Sequence, residues 1–216
     1  GVVMRELFRK PSWHVELAAL RAAGTPYLDS LSANTRQQLR RAVRHYQRRG
    51  PLTIARARDV PEALAFLAEL KRLHQRYWTG KGSPGAFAYP FFEAFQHRLI
   101  TTSLQAGAVE LMRVCCAGQP IGYLYNLVGD GRVLCYQSGI DYDHDPKLKP
   151  GLVCHLLCIE LHLREGAAVY DFMAGAARYK ASLGVPGPDM VYRVLERPTP
   201  RLRLERALRG LVRRFF

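Results

Sequence analysis

Arg178-Tyr179-Lys180, a cation, a phenol and a second cation, stand just beyond a strand-like run that ends in Asp171-Phe172. The small residues Ala174-Gly175-Ala176-Ala177 make the turn between them. Two cations beside a phenol can hold an anionic group and hand over a proton. Asp171 adds a carboxylate able to orient an amine or take its proton. The plainer reading is a solvated loop, with Asp171 capping a turn, Tyr179 in the core and Lys180 on the surface. Elsewhere, Tyr136-Gln137-Ser138 and Trp78 are candidates to line an acceptor pocket. Trp78 suits stacking on a sugar or peptide, although core packing explains an aromatic there equally well.

Periodicity shows what must position these groups. Ser32-Ala33-Asn34-Thr35 heads a helix with an apolar stripe of Leu39, Ala42, Val43 and Tyr46, stopped at Gly50-Pro51. Arg36, Arg40, Arg44 and Arg48 recur every four residues and form a basic ridge along it. A strand is expected over Leu52–Ala57, a second helix from Val60 to about Trp78, a loop over Gly80–Pro84 and a third helix over Pro90–Ser103. The period then turns to alternation. Strands are expected over Val109–Cys116, Pro120–Val128 and Arg132–Ile140, the last two joined by Gly129-Asp130-Gly131. After the irregular Asp141–Lys149 stretch, Pro150-Gly151 opens an apolar helix from Leu152 to about Glu165, ended by Gly166. A strand over Ala168–Phe172, a short helix or turn around Ala177–Leu183 and a last strand near Met190–Leu195 follow. The plan is α+β with a mixed, mainly antiparallel sheet.

At 216 residues and 48% hydrophobic, the chain holds one large domain or a domain with an appendage. Gly1-Val2-Val3-Met4 reads as the interior of a longer protein. Residues 1–30 are therefore expected as a remnant or linker of a preceding half-domain, 31–196 as the main domain and 197–216 as a basic amphipathic helix. Lys and Arg number 32 against 18 Asp and Glu, a net charge of +14. Such a field favours nucleic acid, an acidic membrane face or phosphorylated small molecules. The five cysteines are odd in number and lie in apolar runs, which suits free thiols in a reducing compartment, so a cytoplasmic setting is expected. His155, Cys158 and His162 share one helical stripe, but no second ligand pair supports zinc, and no metal is expected. Asp141, Asp143, His144 and Asp145 lack the Gly and distal Glu of a calcium loop.

Together, the hairpin Gly118–Ile140, the helix start Lys149-Pro150-Gly151-Leu152, and Tyr170-Asp171-Phe172 with Gly175 and Tyr179-Lys180 resemble one branch of the GNAT acyltransferases. This is the BioF2-like (CelD-type) branch, related to the FemAB peptidyltransferases. Leu31-Ser32-Ala33-Asn34-Thr35-Arg36 and Phe87-Ala88 are similar to it too, and the likeness runs from about Leu31 to Leu183. The resemblance implies a GNAT-like sheet in which two neighbouring strands splay apart. The donor's pantetheine then pairs with exposed strand edge, and its pyrophosphate sits on the next helix's N-terminus. Carried over, Gly151 and Leu152 hold the phosphates, with Lys147 and Lys149 adding charge. Lys180 takes the part of the lysine that stabilises negative charge at the acyl carbonyl in FemAB relatives. From their chemistry, Tyr179 is a candidate proton donor to the leaving thiolate, and Asp171 a candidate to orient the amine or accept its proton. Trp78, Tyr136, Gln137 and Arg178 fall on the substrate side. Of the family loop Q/R-x-x-G-x-G/A only Gly151 is kept, and Pro150 lacks an N–H. Acetyl-CoA, a longer acyl-CoA, an acyl carrier protein and aminoacyl-tRNA all stay open as donors.

From Pro200 on, Leu204, Leu208, Leu211 and Phe215 keep helical spacing among arginines. That pattern suits an anionic membrane surface, or docking on the rest of the protein. The expected function is N-acyl transfer from a thioester to a small-molecule amine, such as an amino-sugar or an envelope or exopolysaccharide precursor. The alternatives are FemAB-like transfer from aminoacyl-tRNA and a non-catalytic basic module that binds nucleic acid or membrane. The last has no need of Lys180.

Overall fold

Helices and strands alternate as expected, with a seventh strand at the front. The computed structural model describes residues 2–142, 145, 147–197, 199–202 and 205. In chain order the elements are β1 (Val3–Glu16), α1 (Leu17–Ala22), α2 (Ala33–Gln47), β2 (Leu52–Arg56), α3 (Val60–Thr79) and α4 (Pro90–Ser103). Then come β3 (Val109–Cys116), β4 (Gln119–Gly129), β5 (Arg132–Ile140), α5 (Pro150–Arg164), β6 (Val169–Ala174), α6 (Arg178–Leu183) and β7 (Val185–Glu196). Side-chain caps set two of the helix starts. Ser32 Oγ accepts from the Thr35 N–H at 3.3 Å, and Asp59 Oδ1 accepts from the Glu62 N–H at 2.8 Å.

One seven-stranded sheet in the order β2-β3-β4-β5-β6-β1-β7 carries the fold. Every neighbouring pair is antiparallel except β5 and β6. The expected boundary at residue 31 needs correcting, because β1 lies inside the sheet, with His14 opposite Asp171 of β6 and Phe8 opposite Tyr192 of β7. The run Arg5-Glu6-Leu7-Phe8-Arg9-Lys10 alternates poorly since it is exposed on both faces. Cross-strand partners, rather than a buried face, hold it extended.

Helices cover both faces. α2 and α5 pack on one, around Leu39, Tyr46, Leu124, Val153 and Ile159. α3 and α4 pack on the other, around Leu67, Leu70, Ile100, Leu111 and Tyr125. Two glycines set how closely the helices approach. A Cβ on Gly139 would fall 2.6 Å from Leu70 Cα, and one on Gly122 would fall 2.7 Å from Cys154 Sγ. α3 and α5 thus sit against β5 and β4 where side chains are missing.

Among the described residues no helix is long and apolar enough to cross a membrane. The basic helix expected over 197–216 lies mostly outside the described residues, as do Asp143 and His144.

Candidate active site between β5 and β6

The parallel strands β5 and β6 pair at only three positions, Arg132↔Val169, Val133↔Tyr170 and Leu134↔Asp171. β5 stays bonded to β4 as far as Ile140, and β6 to β1 as far as Ala174. Beyond Leu134 and Asp171 the two facing edges part, leaving backbone groups of both strands turned toward an opening. Two adjoining depressions fill it. One, about 310 Å³, lies under the first turn of α5 and is lined by Lys149, Gly151, Leu152 and His155. The other, about 510 Å³, is lined by Trp78, Tyr136, Gln137 and Lys180. Ser138, Ile140, Tyr142 and Tyr179 line both, so one cleft leads from the start of α5 to Lys180.

At the α5 end, Lys149 is left-handed (φ 48°) and no side chain caps the helix. Pro150 has no N–H, and Val153 N–H already bonds back to Lys149 O at 3.2 Å. The N–H groups of Gly151 and Leu152 therefore head the helix, where the dipole favours an anion.

At the other end Lys180 is buried. Its Nζ donates to Phe172 O at 2.6 Å and Ala174 O at 2.7 Å, with a longer contact of 3.4 Å to Met173 O. Met173 (φ 58°) and Gly175 (φ 134°) take left-handed conformations that bend the end of β6 around the ammonium. A bulky residue held there is strained, as at many functional sites. Burial lowers the Lys180 pKa, while Cys135 and Asp171 act the other way. Tyr179 stacks on His155 with centroids 5.2 Å apart. Burial raises the Tyr179 phenol well above its usual range, so it keeps its proton at neutral pH. Burial, and then the Lys180 charge, push His155 down to about 3, so it is neutral, with Nδ1 3.2 Å from Tyr170 Oη.

Of the residues singled out in the sequence, Trp78, Tyr136, Gln137, Lys149, Gly151, Leu152, Tyr179 and Lys180 line this cleft. Three do not. Lys147 and Arg178 are exposed and outside the lining. Asp171 is turned away because side chains alternate along β6, putting it opposite to Tyr170 and Phe172. Its oxygens are also taken, accepting from Arg132 Nη2 at 2.8 Å and from the Met173 N–H at 2.7 Å. Asp171, expected to orient the amine or accept its proton, is instead bonded to Arg132 and to the Met173 N–H at the bend beside Lys180.

Trp78, singled out in the sequence, belongs to a wider aromatic wall whose other members, His74, Tyr77 and Tyr142, the sequence analysis did not single out. His74, Tyr77 and Trp78 end α3, and Tyr77 lies 5.0 Å from the Tyr142 ring and 5.5 Å from Trp78. The signal was present in their i, i+3, i+4 spacing, which puts them on one helix face.

A separate polar cluster lies where α5 crosses β3 and β4. Glu110 Oε1 accepts from Asn126 Nδ2 at 2.7 Å and meets His162 Nε2 at 2.7 Å, while Oε2 accepts from Arg56 Nε at 2.8 Å. The ligand atoms of Glu110, Cys158 and His162 come within 4.8 Å of one another. His155, from the stripe noted in the sequence, faces the cleft instead. Although burial opposes it, the donors on Glu110 lower its pKa, and these bonds account for the cluster without an ion.

The model of the acetyltransferase (GNAT) domain family matches residues 33–181. Among solved structures, the chain is similar to FemX, with 11% identity and a TM-score of 0.60, over 88% of this chain and 63% of that one. It is similar to L-PGS from Bacillus licheniformis at 14% identity and a TM-score of 0.56, over 95% and 64%. A third is the C-terminal domain of a putative lysylphosphatidylglycerol synthetase from Agrobacterium fabrum, at 14% identity and a TM-score of 0.54, over 91% and 62%. At such identities the likeness is one of fold, and the chain spans less than two thirds of each. Among curated proteins none matches the chain.

Proposed function

The chain belongs to the GNAT acetyltransferase family, and from that premise we propose that it is an acyltransferase that moves an acyl group from a thioester donor such as acyl-CoA to the amine of a small molecule. The parting of β5 and β6 carries this reading. It provides strand edge for an amide-bearing donor arm, with an anion-binding helix start at one end and a buried ammonium at the other.

In the proposed reaction the donor phosphate rests on the N–H groups of Gly151 and Leu152, beside Lys149. The acyl carbonyl lies near Lys180. The amine lone pair attacks the carbonyl carbon and the C=O electron pair moves onto oxygen. Two Lys180 protons are held by Phe172 and Ala174, while the third has only the long contact to Met173 O. That proton and the ammonium charge stabilise the oxyanion. On collapse the C–S bond breaks, the thiolate takes the Tyr179 proton, and Tyr179 recovers one from water. With Asp171 tied to Arg132, the amine loses its proton to solvent through the open cleft. The aromatic wall of Tyr77, Trp78 and Tyr142 offers the acceptor a stacking surface, which suits a sugar ring. An envelope or exopolysaccharide amino-sugar fits that surface.

Thermal-shift screening against acyl-CoAs of increasing chain length tests the donor. A thioester present at 100 times its Kd raises stability by roughly 2.7 kcal/mol. Lys180→Met should retain that shift and lose transfer. Transfer undiminished by Lys180→Met would defeat the reading, and no shift with any acyl-CoA would exclude free coenzyme A as the donor.

A further inference from the structure

From the surface beside the cleft, we infer that the acyl group arrives on a small acidic carrier protein, bound through a phosphopantetheine thiol, that docks in the groove between α2 and α5. The inference rests on the acyltransferase reading and specifies its donor.

The groove, of about 840 Å³, joins a basic wall to an apolar floor. Arg36, Arg40 and Arg44 form the wall, all on one face of α2, with Arg40 and Arg44 exposed. Asp29 partly offsets the first two, lying 3.7 Å from Arg36 and 3.2 Å from Arg40. Half-buried Val43, Leu52 and Leu157 lie in the floor. One acid, Glu160, closes the groove, and burial raises its carboxyl pKa. A nucleic-acid backbone calls for cations but offers little to an apolar floor. An amphipathic helix with acidic and apolar positions satisfies wall and floor together.

The groove is also in the right place. Leu152 lines the cleft and Leu156 lines the groove. They stand one turn apart on the same face of α5, about 6 Å along its axis. At the far end of α2, Arg49 reaches Asp145, another cleft residue, at 3.5 Å. A partner seated on α2 therefore lies beside the mouth through which a donor arm enters.

The helix start fits the same donor. Free coenzyme A brings a pyrophosphate and a ribose phosphate, whereas a carrier-bound arm brings one phosphodiester. With Pro150 in its first turn, α5 offers the N–H groups of Gly151 and Leu152, a match for one phosphate.

The test is fluorescence anisotropy of labelled holo-acyl carrier protein with wild type and with Arg40→Glu/Arg44→Glu, folding being checked by circular dichroism. Acyl-CoA thermal shifts are measured in parallel, and labelled tRNA and phosphatidylglycerol vesicles are compared as ligands. The expected result is a carrier complex weakened at least tenfold by the double substitution, with the acyl-CoA shift unchanged. Failure of the carrier to bind, or equal binding to both proteins, overturns the inference. So does tRNA or vesicle binding that is tighter than carrier binding and lost in the same variant. Absence of a wild-type carrier complex beside an intact acyl-CoA shift refutes the docking, whereas absence of both strikes at the acyl-transfer reading itself.

Discussion

Tyr179 and His155 stack with their ring planes 16° from parallel, joining the first turns of α6 to the second turn of α5. His155 borders the helix-start side of the cleft, and Tyr179 borders both sides. The phenol is thus held where the two depressions meet, the place the proposed reaction gives to the departing thiolate.

Tyr179→Phe keeps the stack and removes the proton. Transfer should fall by about 100-fold or more if the phenol is the acid, with melting temperature and acyl-CoA shift close to wild type. Single-turnover measurements with both proteins check this. Unchanged turnover would leave Tyr179 a packing residue.

His155 makes stability depend on acid. Its folded pKa of about 3 lies below the 6.5 of the free group. Between those values the unfolded chain binds a proton that the folded chain excludes, so stability falls as pH drops from 6.5 toward 3. Each pH unit in that window costs up to about 1.4 kcal/mol. His155→Gln should flatten the pH slope of urea denaturation midpoints measured from pH 4 to 7. An unaltered slope would show that other groups set it.

Glu110→Ala should cost about 3–5 kcal/mol, because it strips a buried partner from His162 and Asn126 and one from Arg56. The sign with pH follows from its lowered pKa. Its contribution is present above the free carboxyl value and is lost as pH falls through the folded one. Chemical denaturation at pH 7 and pH 4 should show a smaller gap between variant and wild type at the lower pH. Acyl-CoA binding should be retained, since Glu110 does not line the cleft.

Gly139→Ala puts a methyl against the Leu70 backbone. Overpacking of this kind costs about 1–3 kcal/mol, and relief requires α3 to move off β5. Because α3 carries Tyr77 and Trp78, acceptor KM should rise more than donor KM. Equal kinetics with a lowered melting temperature would separate stability from the site.

Much of this was legible in advance. Alternation and the Gly129-Asp130-Gly131 turn placed β4 and β5 to within a residue or two, and Pro150-Gly151 marked the start of α5. Lys180, Tyr179, Trp78 and Gly151 could be singled out as cleft-lining candidates because residue types next to turns and helix starts are local signals. The placement of Asp171 was not legible, for a nonlocal reason. Its partner Arg132 is 39 positions away, and only the parallel pairing of β5 with β6 brings them together. β1 was hidden likewise, since its partners lie more than 150 residues along the chain.

By itself, the sequence determined the elements from α2 onward, their order, the basic ridge on α2 and the residue types available for acyl transfer. Caps, turns and side-chain periodicity act over a few residues and can be read without the fold. The tertiary structure alone decided where β5 and β6 stop pairing, that Lys180 is caged by three carbonyls, and that Asp171 faces Arg132 rather than the cleft. Those outcomes depend on register and packing between distant segments, and no local pattern encodes where two strands part.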